Sequence, residues 1–288
     1  MEERQDSQTF QRVLGLPHLT ASGVGVIIGA GIYVLLGPAA QKAGALVWMS
    51  FLLAGLLSAL SALSYMELAS MFPRAGSEHE FARQVFPRWV SFTAGWAMTL
   101  ALIVAAATVS LGFARYVQVF FDVNVKWTAF ALLAFVALVA ASGMKRASWL
   151  IFCLSFVQVG GLILVVVLGV DHVGDVDLFA GNGLSGVLAG SALIFFAFIG
   201  FDEIITLSEE TKDASRTIPR ALLLSLSIST ILYVLVAVVS VSVLGSQRLA
   251  NSKQPLTDVV LDAFGSGAGN IVSVVALITT MNTTLLVV

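Results

Sequence analysis

Apolar residues run along this chain in long blocks separated by short polar segments. Eight blocks have the length of a membrane crossing: 19–37, 45–69, 90–112, 127–143, 149–170, 184–206, 221–244 and 270–288. About 20 residues at 1.5 Å rise cross the hydrocarbon core, so a nearly charge-free run of 18 or more predicts a spanning helix. The third block stays apolar through Phe113 to Phe121, which predicts a helix that tilts or continues past the membrane surface.

The polar segments set the orientation. With the N-terminus in the cytoplasm, ten lysines and arginines fall inside (Arg4, Arg12, Arg74, Arg83, Arg88, Lys145, Arg146, Lys212, Arg216 and Arg220) and five outside (Lys42, Arg115, Lys126, Arg248 and Lys253). The excess of positive charge belongs on the cytoplasmic side. The segment 171–183, with three aspartates and no lysine or arginine, then lies outside. The mixed-charge start at 1–12 leads into a full-length block without a small-residue cleavage pattern, so the first span is expected to remain as an anchor in the cell membrane. The last block runs apolar to Val288 with no polar flank, which predicts that this chain is a fragment and that further spans belong to the intact protein.

Composition agrees with a multi-pass membrane protein: 58% of the 288 residues are apolar and 11% charged, against about 25% charged in soluble domains. A net charge of −2 supplies no basic stripe for nucleic acid. The single cysteine, Cys153, cannot form an internal disulfide, and His18, His79 and His172 are too scattered to hold a metal. No cofactor is expected, with protons as a possible coupling ion.

Two spans look interrupted. The first carries Gly23, Gly25, Gly29 and Gly31 within nine residues. Such a density fits either close helix packing, to which Gly25 and Gly29 conform, or an unwound stretch whose freed backbone groups face a cavity. The sixth reads Phe195-Phe196-Ala197-Phe198-Ile199-Gly200-Phe201-Asp202-Glu203, a glycine followed by two carboxylates at the edge of an apolar run. Ionisable residues in spans face the bundle interior or a cavity. Spans one and six are corresponding members of two five-helix repeats, at 19–170 and, inverted and cut after three helices, at 184–288. Glycine-interrupted spans in corresponding positions point to a midplane substrate site.

A half-helix beginning near Gly31 would point N–H groups and a positive dipole end at that site, which suits a carboxylate. Carbonyls freed at Ile27, Ile28, Phe196, Ala197 and Ile199 suit an ammonium. Together they describe the backbone of an amino acid, with Phe196 and Phe198 either lining the cavity or packing in the core.

At these residues the chain resembles the amino acid, polyamine and organocation transporter superfamily, most closely its cationic amino acid transporter branch. The resemblance rests on Gly-Val-Gly-Val-Ile-Ile-Gly-Ala-Gly-Ile-Tyr (23–33), Tyr-Met-Glu-Leu-Ala with Glu67 followed by Phe-Pro-Arg-Ala-Gly-Ser (72–77), Phe-Phe-Ala-Phe-Ile-Gly-Phe-Asp (195–202), and Ser-Glu-Glu-Thr-Lys with Arg216 and Pro219. It implies an all-α, twelve-span inverted-repeat fold with discontinuous first and sixth helices, of which this chain holds spans one to eight. It also implies a carboxylate site at Gly29, Ala30 and Gly31, and an amine site at the carbonyls of Phe196, Ala197 and Ile199 beside Gly200. Phe196 would be an aromatic gate and 77–86 a cytoplasmic gate helix, whose Ser77-Glu78-His79-Glu80 start has a capping-box pattern.

Two departures bear on the substrate. Where proton-coupled relatives carry a lysine in span five, this chain has Gln158, a neutral amide that cannot titrate. Where cationic-branch members carry a glutamate after the Gly-Trp pair, here Gly95-Trp96, it has Ala101. Neutral amino acids therefore rank above cationic ones. Glu67 and Asp202 are the candidates for coupling or gating, Glu209 and Glu210 read as a solvated loop, and the polar run 279–284 in span eight reads as helix-packing hydroxyls or as a site lining.

The sequence thus predicts a secondary amino acid transporter working by alternating access. A membrane amino acid sensor using the same pocket without net transport is the alternative. A channel would show a continuous polar stripe instead of local breaks, and an enzyme would show a nucleophile or zinc arrangement. With the remaining scaffold helices missing, residues 1–288 alone are expected to be poorly stable in detergent; a monodisperse, heat-resistant preparation would contradict this.

Overall fold

The computed structural model describes residues 14–72, 77–141 and 144–287. The polar start at 1–12, the Pro-Arg-Ala-Gly part of the second motif and Gly143 lie outside the described residues, as do the side chains of Ser77, Glu78, Lys145, Arg146, Trp149 and Glu209. Among the described residues regular structure is helical, joined by two isolated backbone bridges.

Helices α1 (Leu16–Ile27) and α2 (Ala30–Ala43) form the first span and meet at a bend of 46°. Then come α3 (Val47–Met71), the short α4 (Ser77–Val85), α5 (Arg88–Val117), α6 (Val125–Ala141) and α7 (Met144–Gly169). The sixth span consists of α8 (Gly183–Ile194), a 3-10 turn at Phe195–Phe198 and the four-residue α9 (Glu203–Thr206). The remainder is α10 (Ala214–Asn251), α11 (Pro255–Phe264) and α12 (Ser266–Val287).

Seven of the eight predicted spans are long and apolar enough to cross a membrane, counting the bent pair as one. The eighth is α6, whose 17 residues reach about 25 Å at 1.5 Å each, short of a straight crossing of about 30 Å. The third span is the expected long helix, 30 residues in α5. Within α10 the helical course ends at Gly245, whose φ of 71° is a left-handed conformation open to glycine; the turn falls where the apolar run stops at Leu244. Beyond it Arg248 grips Asp262 of α11 through two contacts of 2.8 and 3.1 Å. The guanidinium holds the Asp262 carboxyl below the usual carboxylate range.

Small residues let the helices approach. Between apolar helices in lipid there is little hydrophobic drive, so close backbone packing carries association. Gly55 of α3 faces Thr230 of α10, and Gly25 of α1 faces Ser155 of α7, each so near that an added Cβ would lie within 2.5–2.7 Å of the neighbouring side chain. Tyr33, Tyr116, Tyr233, Phe51 and Phe198 fill the centre, while leucines such as Leu56, Leu60 and Leu63 of α3 stay exposed, as acyl-facing positions do.

Both broken spans are tied to each other at both ends. On the side of the N-terminus, Leu14 pairs with the segment after the sixth span: its N–H donates to Glu210 O and its carbonyl accepts from Lys212 N, both at 3.0 Å. On the opposite side Gly44 bridges Gly181, Asn182 N donates to Ala43 O at 3.1 Å, and Asn182 Nδ2 donates to Lys42 O at 2.8 Å.

Gly55→Ala should strain the α3–α10 contact and cost about 1–3 kcal/mol, read as a lower unfolding temperature in detergent. Gly160→Ala, at a site with nothing within 4 Å of the added carbon, should leave that temperature unchanged.

Candidate functional site

The first break is only two residues wide. Helix α1 ends with Ile28 N donating to Val24 O at 2.9 Å, Ile28 turns to ψ 74°, Gly29 is extended, and α2 begins at Ala30. The second is longer. After the 3-10 turn Ile199 is extended and Gly200 takes φ 112°. The two breaks touch, since a Cβ built on Gly31 would lie 2.5 Å from Ala197 Cβ and 2.6 Å from its Cα.

Three neighbouring helices supply partners to the groups the breaks release. From α10, the Tyr233 hydroxyl lies 2.7 Å from Ile27 O and 3.2 Å from Ala197 O, donating across both breaks at once. From α12, the Thr283 hydroxyl accepts from Ala30 N–H at 2.8 Å and donates to Thr279 O at 3.0 Å. From α7, Gln158 is fully buried; its Nε2 donates to Gly25 O, and its Oε1 accepts from Asn282 Nδ2 at 3.3 Å. A tyrosine pair completes the shell, with Tyr33 Oη donating to Gln158 O at 3.3 Å and Tyr116 Oη donating to Tyr33 O at 2.9 Å.

The predicted residues divide into two groups. Ile27, Ile28, Gly29, Ala30, Gly31, Ala197 and Phe198 are buried at the junction, with Phe196 half-buried and Ile199 exposed. Gln158 joins them through Gly25. Glu67 is instead exposed near the end of α3, and Asp202 stands half-buried two residues beyond Gly200, at the start of α9. Phe196 O and Ile27 O also accept from the backbone, from Ile199 N at 3.3 Å and Gly29 N at 2.8 Å. A cleft of about 790 Å³ runs beside α1, where Val24, Gly25, Val26, Ser155, Glu203 and Leu224 line a mostly apolar groove.

A family model described as amino acid permease matches residues 14–288. The chain is an amino acid permease family member. Relatives of this permease chain include the branched-chain amino acid permease of Bacillus subtilis (strain 168), 31% identical over 94% of this chain and 63% of the relative. Cationic amino acid transporter 4 of Mus musculus is 31% identical over 99% of this chain and 49% of its own length. The mitochondrial cationic amino acid transporter 3 of Arabidopsis thaliana is 33% identical over 83% and 44%. The permease chain thus spans about half to two thirds of these relatives. It is a multi-pass membrane protein of a transporter family and not an enzyme.

Sequence reasoning missed Tyr233 and Tyr116. The available signal was a lone tyrosine in an apolar run, since a buried hydroxyl must find an acceptor; which acceptor, 206 positions away for Tyr233 and Ile27, only the fold reveals.

Tyr233→Phe removes the donor shared by Ile27 O and Ala197 O, leaving buried carbonyls short of a partner. The expected loss is about 1–3 kcal/mol, read as a lower unfolding temperature. An unchanged temperature would show that the hydroxyl does not hold the breaks together.

Proposed function

We propose that the intact protein is a secondary active amino acid transporter of the cell membrane, working by alternating access around the junction of the two broken spans. The observation that carries this reading is the contact of the breaks at Gly31 and Ala197, with backbone donors of one and acceptors of both gathered within a single shell. A substrate carboxylate takes the N–H groups of residues 29–31 at the start of α2, and its ammonium takes carbonyls of Ile27, Ile28, Phe196, Ala197 and Ile199. An ammonium reaching Ile27 O and Ala197 O replaces the Tyr233 hydroxyl there.

The segments 19–170 and 184–288 act as a five-helix repeat and the start of its inverted copy. In support, the two broken spans are the first and the sixth and enter the bundle from opposite ends. The charge distribution favours a cytoplasmic N-terminus.

The substrate is a neutral amino acid in preference to a cationic one. The relatives are named for both branched-chain and cationic amino acids, so similarity leaves this choice open. The fully buried polar side chains among the described residues are serines, threonines, tyrosines, Gln158 and Asn282, none of which carries a negative charge to compensate a cationic side chain. Gln158 cannot carry a proton, so proton coupling, where it operates, runs through Glu67 or Asp202.

Uptake of labelled alanine and arginine by liposomes containing the full-length protein, with and without an inward proton gradient, tests this. Expected are alanine uptake above arginine, a gradient stimulation removed by Glu67→Gln or Asp202→Asn, and loss of uptake in Gly31→Val, whose side chain collides with Ala197. Tight binding of an amino acid without uptake would sink the transporter reading and leave the sensor.

A further inference from the structure

We propose that the cleft between α4 and the start of α5 binds the headgroup of an anionic phospholipid. Helix α4 lies against the bundle through Phe81, which is buried and meets Tyr65 of α3 edge to face at 6.4 Å. The chain then turns at Pro87 into α5. The turn leaves a cleft of about 550 Å³ lined by His79, Arg83, Phe86, Arg88, Ser91 and Phe92. A recess of about 320 Å³ shares His79 and Phe92 and continues along α5 past Gly95 to Trp96 and Thr99.

The two spaces differ in chemistry in the way a phospholipid does. The first offers two guanidiniums and an imidazole, and no carboxylate among the described residues lines it. Glu80 on the same helix is engaged by Gln84 Nε2 at 2.9 Å and approaches Arg83 at 3.9 Å, yet the Arg83 side chain remains 64% exposed and keeps donors for an anion. The imidazole is held in place, with Nδ1 3.0 Å from both the carbonyl and the hydroxyl oxygen of buried Ser91. The second space is aromatic. Gly95 forms part of its wall beside the imidazole, and a Cβ there would stand in ordinary contact, 3.5 Å from His79 Nδ1.

Depth argues for lipid over a dissolved anion. Trp89, Phe92 and Trp96 are 71, 61 and 52% exposed along one face at the end of α5. Aromatic residues in that setting mark the membrane–water boundary, and basic pockets between spans at that level take lipid headgroups. A phosphate on Arg83 and Arg88 leaves its acyl chains beside Phe92 and Trp96. Helix α4 is in turn linked to the second break, because Tyr65 also stacks edge to face on Phe201 at 5.4 Å, next to Gly200, and an occupant that shifts α4 would act on that break. That consequence rests on the transport reading; binding itself does not.

Lipid retention by the full-length protein in neutral detergent, followed by native mass spectrometry, tests the binding. Phosphatidylglycerol should be retained at least about tenfold more tightly than phosphatidylcholine. Arg83→Gln with Arg88→Gln should erase the preference, Arg115→Gln at the other end of α5 should keep it, and millimolar inorganic phosphate should not compete. Equal retention of the two lipids, a preference that survives the double substitution, or displacement by phosphate would each overturn the proposal. If the double variant fails to fold, quenching of wild-type tryptophan fluorescence by brominated phosphatidylglycerol against brominated phosphatidylcholine decides, equal quenching refuting it. Uptake by the same preparations is a separate readout, so a failed transport reading leaves the binding result standing.

Discussion

A helix broken inside hydrocarbon must find a partner for each backbone group it frees, because no water is there to take it and each orphan costs several kcal/mol. Every feature at the centre of this permease answers that demand. Tyr233 donates to a carbonyl of each break, Thr283 accepts the N–H at the start of α2, and Gln158 donates to Gly25 O. These side chains come from α10, α12 and α7, so the breaks are also what holds those helices together. The same groups have the polarity an amino acid presents, donors for its carboxylate and acceptors for its ammonium. On the proposed reading, side-chain partners and substrate compete for one set of backbone groups.

The ties at the ends of the broken spans join them on both sides of the bundle. Leu14 joins α1 to the segment beyond α9, and Gly44 with Asn182 joins α2 to α8. The first half of each broken span is therefore bonded to the second half of the other or to the segment just beyond it. Backbone hydrogen bonds thus join the two broken spans at both rims, and Gly31 meets Ala197 in between.

Much of this was readable from the residues. Long apolar blocks specify spans because 1.5 Å per residue against a fixed membrane thickness leaves little choice of length. The density of glycine at 23–31 marked the first break, whose helix resumes at Ala30, one residue before Gly31. Other features depended on distance in sequence. Thr283 reaches Ala30 across 253 positions, and a hydroxyl in an apolar run looks the same whether it bonds its own helix or another. Helix α11 falls between the seventh and eighth apolar blocks, where no element was predicted. Its first-position Pro255 and the buried triplet Leu256, Val259 and Val260 carried a legible helical spacing.

The glycines at the breaks answer two different physical requirements. Gly31 is helical, and what excludes a side chain there is space, since Ala197 occupies the position a Cβ would take. Gly200 has φ 112°, a conformation that L side chains rarely adopt, with Val26 3.0 Å from where a Cβ would stand. Crowding at Gly31 depends on how closely the two spans sit and is relieved when they separate. The backbone preference at Gly200 belongs to the residue itself and persists whatever its neighbours do. One position therefore limits how closely the breaks can sit, and the other fixes the course of the second.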